Sequence, residues 1–334
     1  MLRAVEVENA DKAKPRILRY HEMPLPAGAA RSGEVLEPQT VAAALRRLWS
    51  TGKFTSKNVV LGMGNQRVFA RDVALPKAPL AQLRESLPFT VQDMLPMPVA
   101  DAVMDFYPIS DGVGDQGQPM INGLLVAAVK AAVLANVESV RLAGLNPVEV
   151  DLIPFALTRV LMRGIDTGGT VALIDVGATT TTVVMATRGV PLFVRIIPSG
   201  GEDVTKSLIN RLNFSEQMAT QAKQVLGMNK LQATPENAPV IDAIIETSVE
   251  LLISLRNTIA YFDNTHEMSK VERIVLTGGG ARLNGFAGAL MEMTRVQTVF
   301  GNPFASVTAA KTVDQSPESL SMMVALGLAL GSAA

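Results

Sequence analysis

Apolar positions along this chain follow two periods. Short runs of β-branched and aliphatic residues at 59–61, 68–75, 171–174, 182–186, 193–197 and 273–276 alternate with longer segments at 39–50, 79–94, 125–144, 201–212, 238–262 and 283–293, in which the apolar spacing is helical. The short runs predict strands and the long segments helices, and their alternation predicts an α/β chain of layered sheets.

A weak internal repeat sharpens this picture. Residues 2–7, a polar turn at 9–14, residues 16–20 and Pro24-Leu25-Pro26-Ala27-Gly28 outline a strand hairpin. Residues 181–185, the turn Arg188-Gly189, residues 192–197 and Pro198-Ser199-Gly200-Gly201 repeat that outline. Two such halves predict a duplicated fold with a cleft between them. The second copy is preceded by a further apolar run and loop at 171–179, and the expectation is that the chain opens just after the equivalent loop of the first copy. Between the halves, 58–140 reads as an inserted subdomain that holds Met94-Leu95-Pro96-Met97-Pro98 and an exposed hairpin loop at 110–119.

At 334 residues the chain is sized for about two domains. The absence of cysteine excludes thiolate zinc sites, iron–sulfur clusters and cysteine nucleophiles and fits a reducing compartment, while His21 and His266 are far apart in sequence and do not read as a metal site. With 30 basic against 31 acidic residues and 4% aromatics, nothing marks a nucleic-acid or polybasic membrane surface. The start of the chain has no apolar signal-peptide core, and the long apolar stretch 123–137 is interrupted by Lys130 and Asn136. The reading is a cytoplasmic protein without direct membrane insertion.

Four segments are candidates for chemistry. Asp175-Val176-Gly177-Ala178-Thr179-Thr180 joins two strands; its glycine admits close approach of an anion, its N–H and hydroxyl groups can donate to phosphate oxygens, and Asp175 can hold a hydrated Mg²⁺. A plain hairpin is the bland alternative. Gly278-Gly279-Gly280-Ala281, with Asn284, lies between a strand and a helix, where bare backbone can pack on a base or phosphate; an ordinary connection explains it equally well. Gly200-Gly201 opens a helix whose Glu202 and Asp203 suit the first turn through the helix dipole. Glu250 and Ser254 share a helix face on which a ribose could be hydrogen-bonded, or where both are simply solvated.

The order of these segments, with 71–76, Leu95-Pro96-Met97-Pro98, Asp105-Phe106-Tyr107, Ala143-Gly144-Leu145-Asn146-Pro147 and 150–157, resembles the actin-like ATPase superfamily, and within it the PilM family of type IV pilus assembly. The resemblance covers nearly the whole chain. It implies a duplicated actin-like (ribonuclease H-like) fold with two domains around a nucleotide cleft. The implied division is 1–57 for the first part of domain one, 58–140 for an FtsA-like α+β insertion, 141–165 for the rest of domain one with a connecting helix, 166–310 for domain two with a lobe at about 203–265, and 311–334 for the C-terminal helix returning to domain one. It also implies ATP or ADP with Mg²⁺, the phosphates at Asp175–Thr180 bordered by Gly200 and Gly201, adenosine at Gly278, Gly279, Gly280, Ala281 and Asn284, the ribose and base beside Glu250 and Ser254, and connecting helices at 151–157 and 317–330. Two departures stand out: the first phosphate loop that precedes the counterpart of 2–7 has no match, and Ile153 precedes Pro154 where several actin-fold ATPases place a carboxylate. The expectation is weak ATP hydrolysis at most.

The implied partner is the cytoplasmic N-terminal peptide of a PilN-like inner-membrane protein, docking between the insertion and the segment after Leu2 and using apolar residues such as Leu80, Leu83, Leu87, Phe89, Met94, Leu95 and Met97; other pilus assembly proteins and self-association are further expectations. The alternative is an FtsA-like division protein, disfavoured because 321–334 carries no Lys or Arg for a membrane-anchoring helix. A sugar kinase lacks a candidate catalytic aspartate in a glycine-rich acceptor site.

Overall fold

The computed structural model describes residues 1–163, 168–266, 268–315 and 321–331. It opens with β1 (Leu2–Glu8) and β2 (Arg16–Met23), an antiparallel hairpin whose register slips between Glu6 and Val7. A small tongue, β3 (Ala30–Arg31) with β4 (Glu34–Val35), leads to α1 (Pro38–Gly52). Proline suits the first turn of α1 because its missing N–H would have no intrahelical partner there. The helix buries Val41, Ala42, Leu45 and Leu48 along one face and stops where Lys53 turns left-handed at φ 55°. Strand β5 (Asn58–Met63) follows.

The insertion is an antiparallel sheet of β6 (Val68–Pro76), β7 (Ala102–Val113) and β8 (Pro119–Val129) in the order β6-β8-β7, with α2 (Leu80–Thr90) packed on it through Leu83 and Leu87. The helix expected at 125–144 starts later, because 125–129 belongs to the central strand β8. Residues 123–128 are all buried, and a fully buried apolar run looks alike as strand or helix until its neighbours are known. Helix α3 (Lys130–Leu142) then lies against α1, and β9 (Asn146–Leu152) runs parallel to β5. β5 thus pairs with β9 and α3 packs on α1, while the three-stranded antiparallel sheet lies within 68–129.

Helix α4 (Ile153–Leu161) crosses to the second half, a five-stranded sheet of β10 (Thr170–Val176), β11 (Thr181–Thr187) and β12 (Val190–Ile197), joined after helices α5 (Gly201–Leu212), α6 (Glu216–Leu226) and α7 (Ala238–Thr265) by β13 (Val271–Thr277), helix α8 (Phe286–Thr294) and β14 (Gln297–Phe300). The strand order is β12-β11-β10-β13-β14. β10 is central and buried on both faces, as its uninterrupted apolar run requires. The short β15 (Thr308–Ala309) pairs with β2, and α9 (Met323–Ala329) packs against α4. α9 stands for the second connecting helix expected at 317–330; residues 317–320 lie outside the described residues. One core cluster runs through Leu157, Leu161, Met323 and Leu326 to Ile17, Leu124 and Leu173, so both halves and the insertion share it. This is the α/β, duplicated architecture that the repeat predicted.

Candidate functional site

Three glycine segments meet at the C-terminal end of β10. The turn after it closes by a Gly177 N–H to Thr180 carbonyl hydrogen bond of 2.9 Å. The first N–H groups of α5 dock beneath the turn: Gly201 N donates to the Gly177 carbonyl at 2.9 Å and Glu202 N to the Ala178 carbonyl at 2.7 Å. Gly200 lies in van der Waals contact with that turn, where a Cβ would fall 2.6 Å from the Gly177 oxygen. Asp203 is engaged locally, accepting from Ser199 Oγ at 2.8 Å and Gly200 N at 3.0 Å, which caps the helix.

The third segment follows β13. Gly278 is left-handed at φ 87°, and a side chain there would collide with the Val176 carbonyl and lie 2.8 Å from Asp175 Oδ1; a Cβ on Gly280 would lie 2.6 Å from Val176 Cγ1. Packing of one loop on another thus explains both glycines. Gly279 differs, because no atom lies within 4 Å of its Cβ position and it faces the cleft. A glycine without a packing reason, on a wall of the cleft, leaves room for something that approaches the backbone.

The cleft between the halves has a volume of about 1490 Å³ and is lined by Asp175, Gly177, Ala178, Thr179, Thr180, Gly201, Gly278, Gly279 and Gly280 among others. Five residues expected at the site do not line it. Gly200 is beneath the turn, Ala281 is fully buried, and Asn284 is exposed with its carbonyl accepting from Met228 N at 2.8 Å. Glu250 is exposed and Ser254 half-buried on α7, and the face of that helix nearest the loops carries Thr247, Ser248 and Leu251 instead. The polar groups opposite the glycines come from elsewhere: Glu202 on α5 and Thr220, Lys223 and Gln224 on α6. Lys223 Nζ donates to the Gly201 carbonyl at 2.8 Å and to Thr205 Oγ1 at 2.7 Å, and burial pulls its pKa down against the charge of Glu202. The signal for this face was available in sequence, since Ser215 caps α6 and Thr220, Lys223 and Gln224 sit three and four apart. Lys223→Gln is expected to lower the urea midpoint, by about 1–2 kcal/mol of stability, because it removes a charge-assisted donor to the Gly201 carbonyl and to Thr205.

Burial pushes the Asp175 carboxyl up to about 6, and the charge of Arg3 across the cleft opposes that rise. Among the described residues no three acidic or histidine side chains gather into a metal-binding group. A cation here would rest on one carboxylate plus oxygens from a ligand and water, a pattern that Mg²⁺ tolerates well. On the opposite wall Ile153 presents an apolar side chain to the cleft.

Two α/β halves enclosing a cleft, with a strand–turn–strand loop and an adjoining glycine turn together on the wall of the second half, have an actin-like fold. Within it the chain belongs to the family described as type IV pilus assembly protein PilM, whose model matches residues 1–333. Its structure is similar to that of the PilM-PilN type IV pilus biogenesis complex, with a TM-score of 0.85 and 28% identity over 100% of this chain and 96% of that one. It shares its fold with the ethanolamine utilization protein EutJ from Carboxydothermus hydrogenoformans, at a TM-score of 0.51 and 14% identity over 99% of this chain and 90% of that one. Cell division protein FtsA of Bacillus subtilis (strain 168) is 26% identical over 186 residues, 49% of this chain and 41% of that protein, so the match spans well under half of FtsA.

Proposed function

We propose that this protein is a nucleotide-binding scaffold of type IV pilus assembly, which holds ATP or ADP with Mg²⁺ in the cleft and docks the cytoplasmic N-terminal peptide of a PilN-like inner-membrane protein. The observation that carries the proposal is the family match along the whole chain together with the likeness, over the full length, to a PilM structure solved with PilN. The cleft fits the nucleotide part: the N–H and hydroxyl groups of Ala178–Thr180 suit phosphate oxygens, Gly279 gives a bare backbone wall, and Thr220, Lys223 and Gln224 offer polar groups on the other side. Mg²⁺ would neutralise phosphate charge beside Asp175. With Ile153 rather than a base on the wall, turnover is slow, and the nucleotide acts chiefly as a brace between the halves.

Among the described residues no helix is long and apolar enough to cross a membrane. In this proposal membrane attachment comes through the PilN-like partner, on the likeness to the PilM-PilN complex. The insertion spends Leu83, Leu87 and Val91 on its own core and leaves Phe89 85% exposed and Met94 38% exposed, apolar surface available to a short peptide. Fluorescence anisotropy with the cytoplasmic tail of the membrane protein encoded beside this one is expected to show saturable binding, weakened at least about tenfold by Phe89→Asp without change in nucleotide affinity. Absence of binding to the intact chain would remove the scaffold reading; binding that Phe89→Asp leaves intact would move the docking site elsewhere.

A further inference from the structure

Helix α7 runs for 28 residues, and its inner face is divided between two cores. Ile244 packs with α5 and α6, while Leu251, Leu252, Leu255, Ile259 and Phe262 cover the sheet. The outer face of such a helix ordinarily carries polar residues, because one apolar stripe is enough to hold it on the core. Here the middle of the outer face is apolar. Ile253 is 39% exposed, Val249 one turn before it is half-buried, and neither joins a core cluster. Ala260, two turns after Ile253, is exposed on the same side. A β-branched side chain at an exposed position inside a helix costs rotamer freedom and gains no burial, so the folding of a single chain does not explain Ile253.

The charges around Ile253 mirror one another in position and oppose one another in sign. Glu250 stands three residues before it and Arg256 three residues after, and both are exposed. Among the described residues Glu250 has no hydrogen-bond or ion-pair partner, and Arg256 donates only to the amide oxygen of its neighbour Asn257, at 3.1 and 3.4 Å. Glu246, one turn nearer the start of the helix, is instead paired with Arg211 of α5 at 2.7 Å. Glu250 is the residue whose chemistry suited a ribose and which packing turned into solvent. None of Glu250, Ile253 and Arg256 lines the cleft.

We propose that the outer face of α7 around Ile253 is an interface for a second copy of this chain, the two α7 helices lying antiparallel about a two-fold axis at Ile253. Such an axis brings each residue level with the one equally far beyond Ile253 in the other copy. Ile253 then meets its own counterpart, Glu250 comes level with Arg256, Arg256 with Glu250, and Val249 with Asn257. Every attraction occurs twice. A parallel pairing would set Glu250 beside Glu250 and Arg256 beside Arg256, so the charge pattern selects the antiparallel arrangement. One helix face buries less than the roughly 1,200 Å² that marks the lower end of stable interfaces, so the contact is weak and acts where copies are held close together. It requires neither the nucleotide nor the membrane peptide.

The chain has no cysteine, so a single introduced thiol reports a single contact. Under mild oxidation Ile253→Cys should give a disulfide-linked dimer, because Cα atoms that face each other across two touching helices fall within the roughly 4.4–6.8 Å a disulfide needs. Asp242→Cys, exposed on the same side but three turns from the axis, should cross-link more slowly by about tenfold or more. Sedimentation velocity of the unmodified chain at rising concentration should show a reversible dimer, weakened about tenfold or more by Glu250→Arg and by Arg256→Glu, and restored in E250R/R256E, where the charges have exchanged places. The double variant separates loss of the contact from loss of the fold, since damage to folding by one change is not reversed by the other. A chain that stays monomeric up to about 1 mM overturns the proposal and leaves the face to a different protein. Equal cross-linking at the two cysteine positions, or a double variant as weak as the single ones, overturns it as well.

Discussion

On the proposed nucleotide-binding function, replacing Asp175 with Asn is expected to weaken Mg²⁺-dependent nucleotide binding by about 10- to 100-fold, while making the ligand-free protein more stable above pH 6. The two effects share one cause. Burial raises the Asp175 pKa to about 6, above the ordinary carboxylate value near 3.9, so the folded state holds a proton that the unfolded state has already released between those pH values. Stability of the ligand-free protein then falls as pH rises from about 4 to about 6 and stays low above that, by up to about 3 kcal/mol from this group. Asn carries no charge and should flatten that part of the curve. Urea unfolding at pH 4.5 and pH 8, with and without Mg²⁺ and ADP, separates the outcomes. A variant that keeps the wild-type pH slope, or binds Mg-nucleotide unchanged, would remove Asp175 from the site.

Gly327→Ala is the second substitution with a large expected effect, here on stability. Gly327 lies where α9 crosses α4, and a Cβ would run into the carbonyl group of Ala156. Backbone cannot swing aside as a side chain can, so the two helices must part, and the 2.6 Å hydrogen bond from Arg159 Nη1 to the Gly327 carbonyl would be strained along with the Arg159–Asp151 ion pair. A loss of about 2–4 kcal/mol is expected in urea unfolding. Gly288→Ala supplies the contrast: that glycine is inside α8, exposed, with open space at its Cβ position, and the change should stabilise by about 0.5–1 kcal/mol. Equal responses at the two positions would mean that the α4–α9 crossing does not join the halves as described.

Much of this was legible before any coordinates. The run Val171-Ala172-Leu173-Ile174 has no polar break, and only a strand covered on both faces uses such a run; it is β10. The hairpin outlines around Leu2 and Thr181 were readable because turn residues and strand lengths are local properties. The glycine segments were readable for the same reason. Residues 125–129 read as helix in the sequence because burial on both sides erases the period that separates helix from strand, and the pairing of β5 with β9 is invisible there because it joins residues far apart along the chain.

Site membership shows the division most clearly. That Asp175 ends a strand and that Gly177 and Gly279 belong to glycine turns next to strand ends is a consequence of residue type and local spacing. Which helix supplies the opposite wall is not a local matter. Glu250 and Ser254 have the right chemistry on α7, but the rotation of that helix is set by packing Leu251, Leu252 and Leu255 against the sheet, which leaves Glu250 in solvent. Lys223 shares a legible face of α6 with Thr220 and Gln224, but it reaches the cleft only because α6 folds back over the start of α5. Local sequence determined the strands, the turns and the duplicated outline, since these depend on neighbours along the chain. Only the packed structure decided the orientation of α7 and the approach of α6, because each depends on surfaces far apart along the chain meeting.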